Sequence, residues 1–190
     1  RYVEPLSDAR TKLEAFFNIL PGRGGPLPMK LGVYPGTFDP ITHGHTDIIA
    51  RSLRVFDRII VAVAHNPNKR PVFDVAERVE MVKLVTKGYA HVEVEAFDGH
   101  LVQYVRDHGA QAVIRGLRAT SDFEYEFQMA LINRKLDEKV ETVFLMPSEE
   151  YSYLTSSIIK EVASLGGALK DFVHPEIAER LRHRLRRQPQ

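Results

Sequence analysis

The chain has 190 residues, of which 44% are hydrophobic and 27% charged, a composition that is ordinary for one soluble globular domain. The net charge of +1 gives no global field that favours nucleic acid or a membrane, and the lack of cysteine excludes disulfides and thiolate metal sites. No apolar run approaches the roughly 18 residues of a membrane span, and we find no pattern typical of a secretory signal.

Residues 1–28 differ from the rest of the chain. Apolar side chains at helical spacing predict a short helix at residues 11–20, and the sequence PGRGGPLP then breaks any regular structure. We interpret this segment as a leader, either translated upstream or added, before a single domain at residues 29–187. The alternative is a genuine extension that docks on a partner through Phe16 and Phe17.

The first half of the domain alternates between predicted strands and helices. A short strand at residues 30–34 is followed by a helix at 46–56, where apolar residues recur at helical spacing. The near-continuous apolar run RIIVAVA, at 58–64, is typical of a parallel strand that is covered on both faces. The sequence DVAE resembles a capping box before a helix at 78–87, and residues 92–97 alternate like a strand.

The second half continues the alternation. Glycines that favour the end of a helix follow two of the predicted helices, at Gly109 and Gly166. Ser121 and Glu124 have the spacing of a capping box, and Pro175 is a favoured first residue of a helix. In chain order the predicted elements are a helix at 101–108, a strand at 111–114, a helix at 123–136, a strand at 140–146, and helices at 156–165 and from 175 to about 185.

This alternation predicts an α/β domain with a five-stranded parallel sheet and right-handed crossovers. Ligands of such sheets bind beyond the carboxyl ends of the strands, where the strand order reverses. The first segment after a strand is PGTFDPITHGH. We expect Pro35 and Gly36 to turn the chain, Thr37 to offer a hydroxyl, and Gly44 and His45 to begin a helix whose N-terminus attracts anions. The alternative is a loop with a helix cap and surface histidines.

Four segments in this order give the chain a family resemblance. The Thr42-x-Gly44-His45 element is the signature of the nucleotidyltransferase superfamily, and YPGTFDPITHGH resembles the bacterial phosphopantetheine adenylyltransferase family. NPNKRPVF, IRGLRATSDFEYEFQMA and YSYLTSSIIKEVA follow the second, fourth and fifth predicted strands and resemble the same family. The resemblance runs from Met29 to about Leu185. It implies the doubly wound, Rossmann-like nucleotidyltransferase fold with C-terminal helices.

The resemblance implies an enzyme that converts ATP and 4′-phosphopantetheine to dephospho-CoA and pyrophosphate, a step of coenzyme A biosynthesis in the cytoplasm. It also implies Mg²⁺, carried in on the ATP phosphates rather than held by a cluster of protein ligands, and a homohexamer. The acceptor phosphate is already an anion, so the reaction needs alignment and charge stabilisation rather than a general base or a covalent intermediate.

The resemblance also assigns roles to individual residues. His45 would stabilise the α-phosphate in the transition state, while His43 occupies a variable position and is read as a bystander. Lys69 would contact the acceptor phosphate, which a lone lysine after a turn does not by itself indicate. As catalytic residues we name His45, Lys69 and Arg118. The ATP site would comprise Thr37, Phe38, His45, Gly116, Leu117, Arg118, Glu126, Tyr151, Ser152, Tyr153, Leu154, Thr155, Ser156 and Ser157, and the acceptor site Thr37, Lys69, Leu101 and Arg115.

Several alternatives stay open. For Glu126 the alternative is a solvated helix face, and for Ser156 and Ser157 it is a plain helix cap. The chain also departs from the family pattern, with Thr155 where a serine is common and Tyr151 where a tryptophan is. Rival functions are other superfamily members, acting on nicotinate mononucleotide or glycerol 3-phosphate, and a catalytically silent nucleotide or coenzyme A binding module. We interpret the arginines between residues 180 and 187 as a solvated helix end rather than a nucleic-acid or membrane site.

Overall fold

A computed structural model describes residues 29–65, 70–118 and 120–186, and the side chains within them except those of residues 120–122. The helix predicted at residues 11–20 and the candidate residue Lys69 lie outside these ranges. The strands are β1 (Leu31–Gly36), β2 (Arg58–Ala64), β3 (Val92–Phe97), β4 (Ala112–Gly116) and β5 (Glu141–Leu145). The helices are α1 (His43–Ser52), α2 (Val75–Thr86), α3 (Leu101–Asp107), α4 (Thr120–Leu136), α5 (Ser156–Ser164) and α6 (Pro175–Arg186), with a 3₁₀ turn at Glu149–Tyr151.

The strands form one parallel sheet with β1 at its centre, in the order β3-β2-β1-β4-β5. The chain adds β2 and β3 on one side of β1, then crosses back to add β4 and β5 on the other. The predicted five-stranded, doubly wound α/β fold is confirmed. The order therefore reverses between β1 and β4, which is where such sheets bind ligands.

Side chains of the central strands alternate between two apolar layers. Tyr34 belongs to the layer that α1, α2, α5 and α6 cover, whereas its neighbour Val33 belongs to the layer that α3 covers. Ile60 and Val61 of β2 divide in the same way. The sheet is thus buried on both faces, as the apolar run of β2 predicts. Within the described ranges, no helix has the length and apolar character needed to span a membrane.

The capping signals of three helices are confirmed. At the start of α2, Asp74 accepts a hydrogen bond from the Glu77 N–H at 2.8 Å, and the Glu77 carboxylate accepts one from the Asp74 N–H at 3.0 Å. Gly109 and Gly166 have φ of 64° and 77°, the left-handed conformation that lets the chain leave α3 and α5. These signals work from sequence because they depend only on residues a few positions apart.

The expectation that Pro35 and Gly36 turn the chain is wrong. They are the last residues of β1 and lie opposite Ala62 and Val63 of β2. The turn comes two residues later, at Phe38, whose φ is +49°. Its ring folds back over Gly36, where an added Cβ would lie 2.7 Å from Phe38 Cζ. Gly36 therefore makes room for the Phe38 ring instead of turning the chain.

Other predicted boundaries also shift, among them the start of α2, which lies at Val75 instead of residue 78. The helix α1 begins at His43, three residues before the predicted start, because Thr42 has the extended backbone of an N-cap residue. The helix α4 begins at Thr120, so Ser121 is already helical and is not its N-cap. Arg115 and Gly116 close β4 instead of following it, since both pair with residues of β5.

Candidate active site

A cavity of about 740 Å³ opens at the carboxyl end of the sheet, where the strand order reverses. This volume lies in the range of small-molecule sites. Its walls come from the segments that follow β1 and β4, from the first turns of α1 and α5, and from one side of α4. Segments distant in sequence therefore meet in one place, at the edge predicted to bind a ligand.

The cavity reaches both faces of the sheet. Tyr34, Phe38 and Leu154 line it and belong to the apolar layer under α1 and α5. Phe97 and Leu101 also line it, but they pack with the opposite layer, under α3. A ligand that fills the cavity would cross the end of the sheet, with one part on each face.

His45 lies in the first turn of α1 and lines the face under α1 and α5. Its Nδ1 accepts a hydrogen bond from the Thr42 backbone N–H at 3.0 Å. That bond leaves the proton of the neutral ring on Nε2, which can donate to a ligand. Burial, with the positive charge of Arg118 adding to it, lowers the pKa of His45 to about 4. The residue is therefore a neutral donor at pH 7. His43 is not among the cavity-lining residues that the structure describes.

The first turns of α1 and α5 approach the cavity together. An added Cβ at Gly44 would lie 3.4 Å from the Tyr151 carbonyl oxygen, so the 3₁₀ turn packs in van der Waals contact with the start of α1. Thr155 is the N-cap of α5 and accepts from the Ile158 N–H at 3.0 Å. The Ser156 hydroxyl donates to the Pro40 carbonyl at 2.9 Å. This geometry places a helix N-terminus, a preferred anion site, against the cavity.

Arg115 and Glu126 line the cavity as a pair. The Arg115 Nε donates to one carboxylate oxygen of Glu126 at 2.6 Å, and its second nitrogen donates to the other. A third contact runs from Arg115 to the Pro35 carbonyl at 3.3 Å. Burial opposes the charge on Arg115, but the hydrogen bonds and charge of Glu126 outweigh it and raise the pKa of the guanidinium. Glu126 thus fixes the orientation of a fully charged arginine.

Arg118 follows β4 and also borders the cavity. Its guanidinium donates to the Leu154 carbonyl at 3.1 Å, which ties the segment after β4 to the one before α5. Its charge acts on both Tyr34 and His45. Because Leu154 belongs to the apolar layer under α1 and α5, Arg118 lies on the same side of the sheet as His45, whereas Arg115 is paired with Glu126 of α4.

Two buried charged residues that the sequence analysis missed hold these segments in place. The Arg78 guanidinium donates to the carbonyls of Thr37 at 2.6 Å, Ala64 at 3.0 Å and Phe73 at 3.1 Å. Asp39 accepts from Lys160 at 2.8 Å. No local pattern marks these residues, because most of their partners are distant in sequence.

Two polar side chains on the α4 side of the cavity were also missed. Thr142 Oγ1 is buried and has no hydrogen-bond partner among the residues that the structure describes. Asn133, on α4, is only 7% exposed and lines the same cavity. Buried polar groups are normally paired, so an unpaired hydroxyl in a cavity wall is available to a ligand. The only sequence signal was the helical spacing of Asn133 from Glu126.

Most of the predicted site residues meet at the cavity, but some do not. Leu117, Ser152 and Tyr153 are absent from its described lining. Within the described ranges, no three histidine or carboxylate side chains lie close enough together to hold a metal ion. The predicted residues that do line the cavity are Thr37, Phe38, His45, Leu101, Arg115, Gly116, Arg118, Glu126, Tyr151, Leu154, Thr155, Ser156 and Ser157.

Comparisons with known proteins identify the family of this chain. The Cytidylyltransferase-like family model matches residues 33–162. A phosphopantetheine adenylyltransferase of Caldanaerobacter subterraneus is 54% identical over 84% of this chain and 99% of its own length. One from Alkaliphilus metalliredigens is 56% identical over 78% of this chain and 94% of its own length. The chain belongs to the phosphopantetheine adenylyltransferase family.

The fold of this family member is also found in a more distant solved structure. That protein, from Vibrio parahaemolyticus, is provisionally named a nicotinate-nucleotide adenylyltransferase. It superposes with a TM-score of 0.64 over 85% of this chain and 98% of its own, at 18% identity. The likeness at this identity establishes the shared fold alone.

The geometry around His45 predicts an unusual titration. In NMR spectra of the ligand-free protein, the His45 ring is expected to titrate with a midpoint near pH 4 instead of its ordinary value of 6.5. The signal is assigned by its loss in His45→Gln. A midpoint near 6.5 would contradict the buried, neutral ring described here.

The same shift predicts an effect on stability. The unfolded chain binds the His45 proton more tightly than the folded chain, so protonation favours unfolding between pH 6.5 and about 4. The free energy of unfolding should therefore fall as the pH is lowered through this window, and fall less in His45→Gln. Chemical denaturation of both proteins at several pH values measures the difference, and parallel pH profiles would refute it.

Proposed function

We propose that this chain transfers the adenylyl group of ATP to 4′-phosphopantetheine, giving dephospho-CoA and pyrophosphate. The family supports the reaction. The observation that carries it is that His45, Arg115, Arg118 and the N-terminus of α5 line one cavity, although they come from three separate parts of the chain. Two arginines, a neutral imidazole donor and a helix N-terminus suit a ligand that brings several phosphates together.

The chemistry requires little more than alignment. An oxygen of the acceptor phosphate attacks the α-phosphorus of ATP, and the bond from that phosphorus to the β-phosphate oxygen breaks. The attacking oxygen is already anionic, so no proton has to be removed and no covalent enzyme intermediate forms. The work left to the protein is to hold two anions in line and to stabilise the charge that moves between them.

We place ATP on the face of the sheet under α1 and α5. There His45 Nε2–H would donate to an α-phosphate oxygen, and it can do so without a change of protonation because the ring is neutral at pH 7. Arg118 would neutralise phosphate charge from the end of β4. The β- and γ-phosphates would meet the amides and hydroxyls at the start of α5, around Ser157.

We place the acceptor on the opposite face, under α3 and α4. Arg115, oriented by Glu126, would bind its phosphate. The arm would then run past the apolar side chain of Leu101, and its amide groups would find partners in Asn133 and Thr142. Lys69, which we also assign to the acceptor phosphate, lies outside the described residues. The two substrates would meet at the end of β1, near Thr37.

The proposal includes Mg²⁺ bound with ATP, where it neutralises part of the phosphate charge. The donor set fits a metal that the nucleotide carries. Each of the two carboxylates that line the cavity within the described ranges, Asp39 and Glu126, is bonded to a cation of the protein. Mg²⁺ in such sites keeps several waters and binds largely through substrate phosphates.

The reaction is tested by pyrophosphate release from ATP and Mg²⁺, with three acceptors offered separately: 4′-phosphopantetheine, nicotinate mononucleotide and glycerol 3-phosphate. We expect release with 4′-phosphopantetheine alone. Release with another acceptor would retain the nucleotide half of the proposal and overturn the acceptor half. ATP or coenzyme A binding without release in any mixture would indicate a binding module.

The role of His45 is tested in the same assay. His45→Ala should lower turnover by about 10²–10³, the usual effect of losing one donor to a developing charge. His43→Ala is the matched control from the same motif, since His43 does not line the described cavity, and it should keep near-normal turnover. Normal turnover in His45→Ala would remove His45 from the mechanism.

We also propose that the protein acts in the cytoplasm, where ATP is available, as a homohexamer. Support for self-association comes from α4, which exposes a row of large apolar side chains. Phe127, Leu131 and Ile132 are each about half exposed, at 46%, 49% and 51%. Solvent-exposed apolar patches of this kind usually mark an interface. The family resemblance implies that the partner at this interface is another copy of the same chain.

Sedimentation equilibrium tests this assembly. The wild-type protein should sediment as six copies, and Leu131→Glu should dissociate it because a carboxylate would be buried in the interface. Leu165→Glu changes an even more exposed leucine away from α4 and should leave the assembly intact. A monomeric wild-type protein, or equal effects of the two substitutions, would contradict the proposal.

A further inference from the structure

Tyr34 has a hydroxyl that the fold does not explain. The residue lies in β1, is only 5% exposed, and packs its ring edge-on against Phe38 with centroids 5.4 Å apart. It lines the cavity, yet its hydroxyl makes no hydrogen bond with any residue that the structure describes. By contrast, the Tyr104 hydroxyl, away from the cavity, donates to Glu95 at 2.9 Å.

Within the described residues, the Tyr34 oxygen is not one of the fully buried polar atoms that lack a partner, so it meets the open cavity while the ring is buried. Phenylalanine would fill the space of the ring equally well, so the oxygen contributes only where it meets water or a ligand. Packing of the ring therefore accounts for an aromatic residue at this position but not for its oxygen. The position of the oxygen, at the edge of a cavity, suggests that its partner is a ligand.

The surroundings of the hydroxyl show which ligand group would meet it. Tyr34 Oη lies 3.8 Å from the point that a Cβ on Gly116 would occupy, so the oxygen is at the end of β4. The Phe38 ring connects it to His45, with those two centroids 5.2 Å apart. The positive charges of Arg115 and Arg118 both act on the phenol. Burial nonetheless raises the pKa of Tyr34, so the hydroxyl keeps its proton and is a donor.

We propose that the Tyr34 hydroxyl donates a hydrogen bond to a phosphate oxygen of the bound nucleotide, beside His45 and Arg118. Tyr34 would then be a substrate-binding residue in addition to those that the motifs suggest. The inference rests on the proposed function for the identity of the nucleotide. A neutral donor to an anionic oxygen makes one of the stronger kinds of hydrogen bond, and it needs no counterion.

The test compares Tyr34→Phe with Tyr104→Phe, since each substitution removes one phenolic oxygen and leaves the ring. ATP binding with Mg²⁺ is measured by calorimetry without any acceptor, and thermal unfolding is measured without ligand. We expect Tyr34→Phe to weaken ATP binding by about tenfold, the usual effect of a hydrogen bond to a charged group. Its unfolding midpoint should stay the same or rise. Tyr104→Phe should bind ATP as the wild type does.

Unchanged ATP affinity in Tyr34→Phe would overturn the proposal. So would a lower unfolding midpoint in that variant without loss of ATP affinity, because the hydroxyl would then serve the fold. Equal weakening by Tyr104→Phe would also overturn it. This binding experiment contains no acceptor, so it does not depend on the transfer reaction. If the separate pyrophosphate assay shows no transfer, the proposed reaction is refuted, but the comparison of ATP affinities still decides the role of Tyr34.

Discussion

The buried carboxylate of Asp39 joins three segments of the chain at the edge of the sheet where the cavity opens. It accepts hydrogen bonds from the backbone N–H groups of Val72 and Phe73, each at 3.0 Å, and from the Lys160 ammonium at 2.8 Å. A buried carboxylate is destabilising unless it is paired and hydrogen-bonded, and these three donors meet that requirement for Asp39. Arg78 holds the same region together by donating hydrogen bonds to the carbonyls of Thr37, Ala64 and Phe73. The segment after β1, the segment before α2 and the helix α5 are therefore held together where the cavity opens.

The sequence predicted those parts of the fold that depend on neighbouring residues. The capping box at Asp74 and the helix end at Gly109 were identified because their partners are a few positions away. The end of β1 was predicted too early, because Gly36 was taken for a turn residue. In the structure Gly36 leaves space for the Phe38 ring, and this contact is not visible in the sequence. The start of α4 was misplaced because a capping sequence at Ser121 does not exclude an earlier start.

The same division holds for the site. Motifs identified His45, Arg115 and Arg118, which all line the cavity, because the family resemblance assigned them and their side chains suit phosphate groups. Motifs did not reveal that Glu126 is bonded to Arg115 and orients that arginine, and its contact with the nucleotide stays a prediction. Nor did they reveal Tyr34, since an unpaired hydroxyl can be recognised only from its surroundings. The structure thus shows which side chains of the candidate site contact one another, whereas the motifs show only which residues are candidates.

The central claim is that nucleotide and acceptor occupy opposite faces of the sheet and meet at its edge. It is tested most directly by a crystal structure with Mg²⁺, a non-hydrolysable ATP analogue and 4′-phosphopantetheine. We predict an α-phosphate oxygen within hydrogen-bond distance of His45 Nε2, the γ-phosphate at the start of α5, and the acceptor phosphate on Arg115. Both substrates on one face, or a triphosphate bound away from His45, would contradict the account.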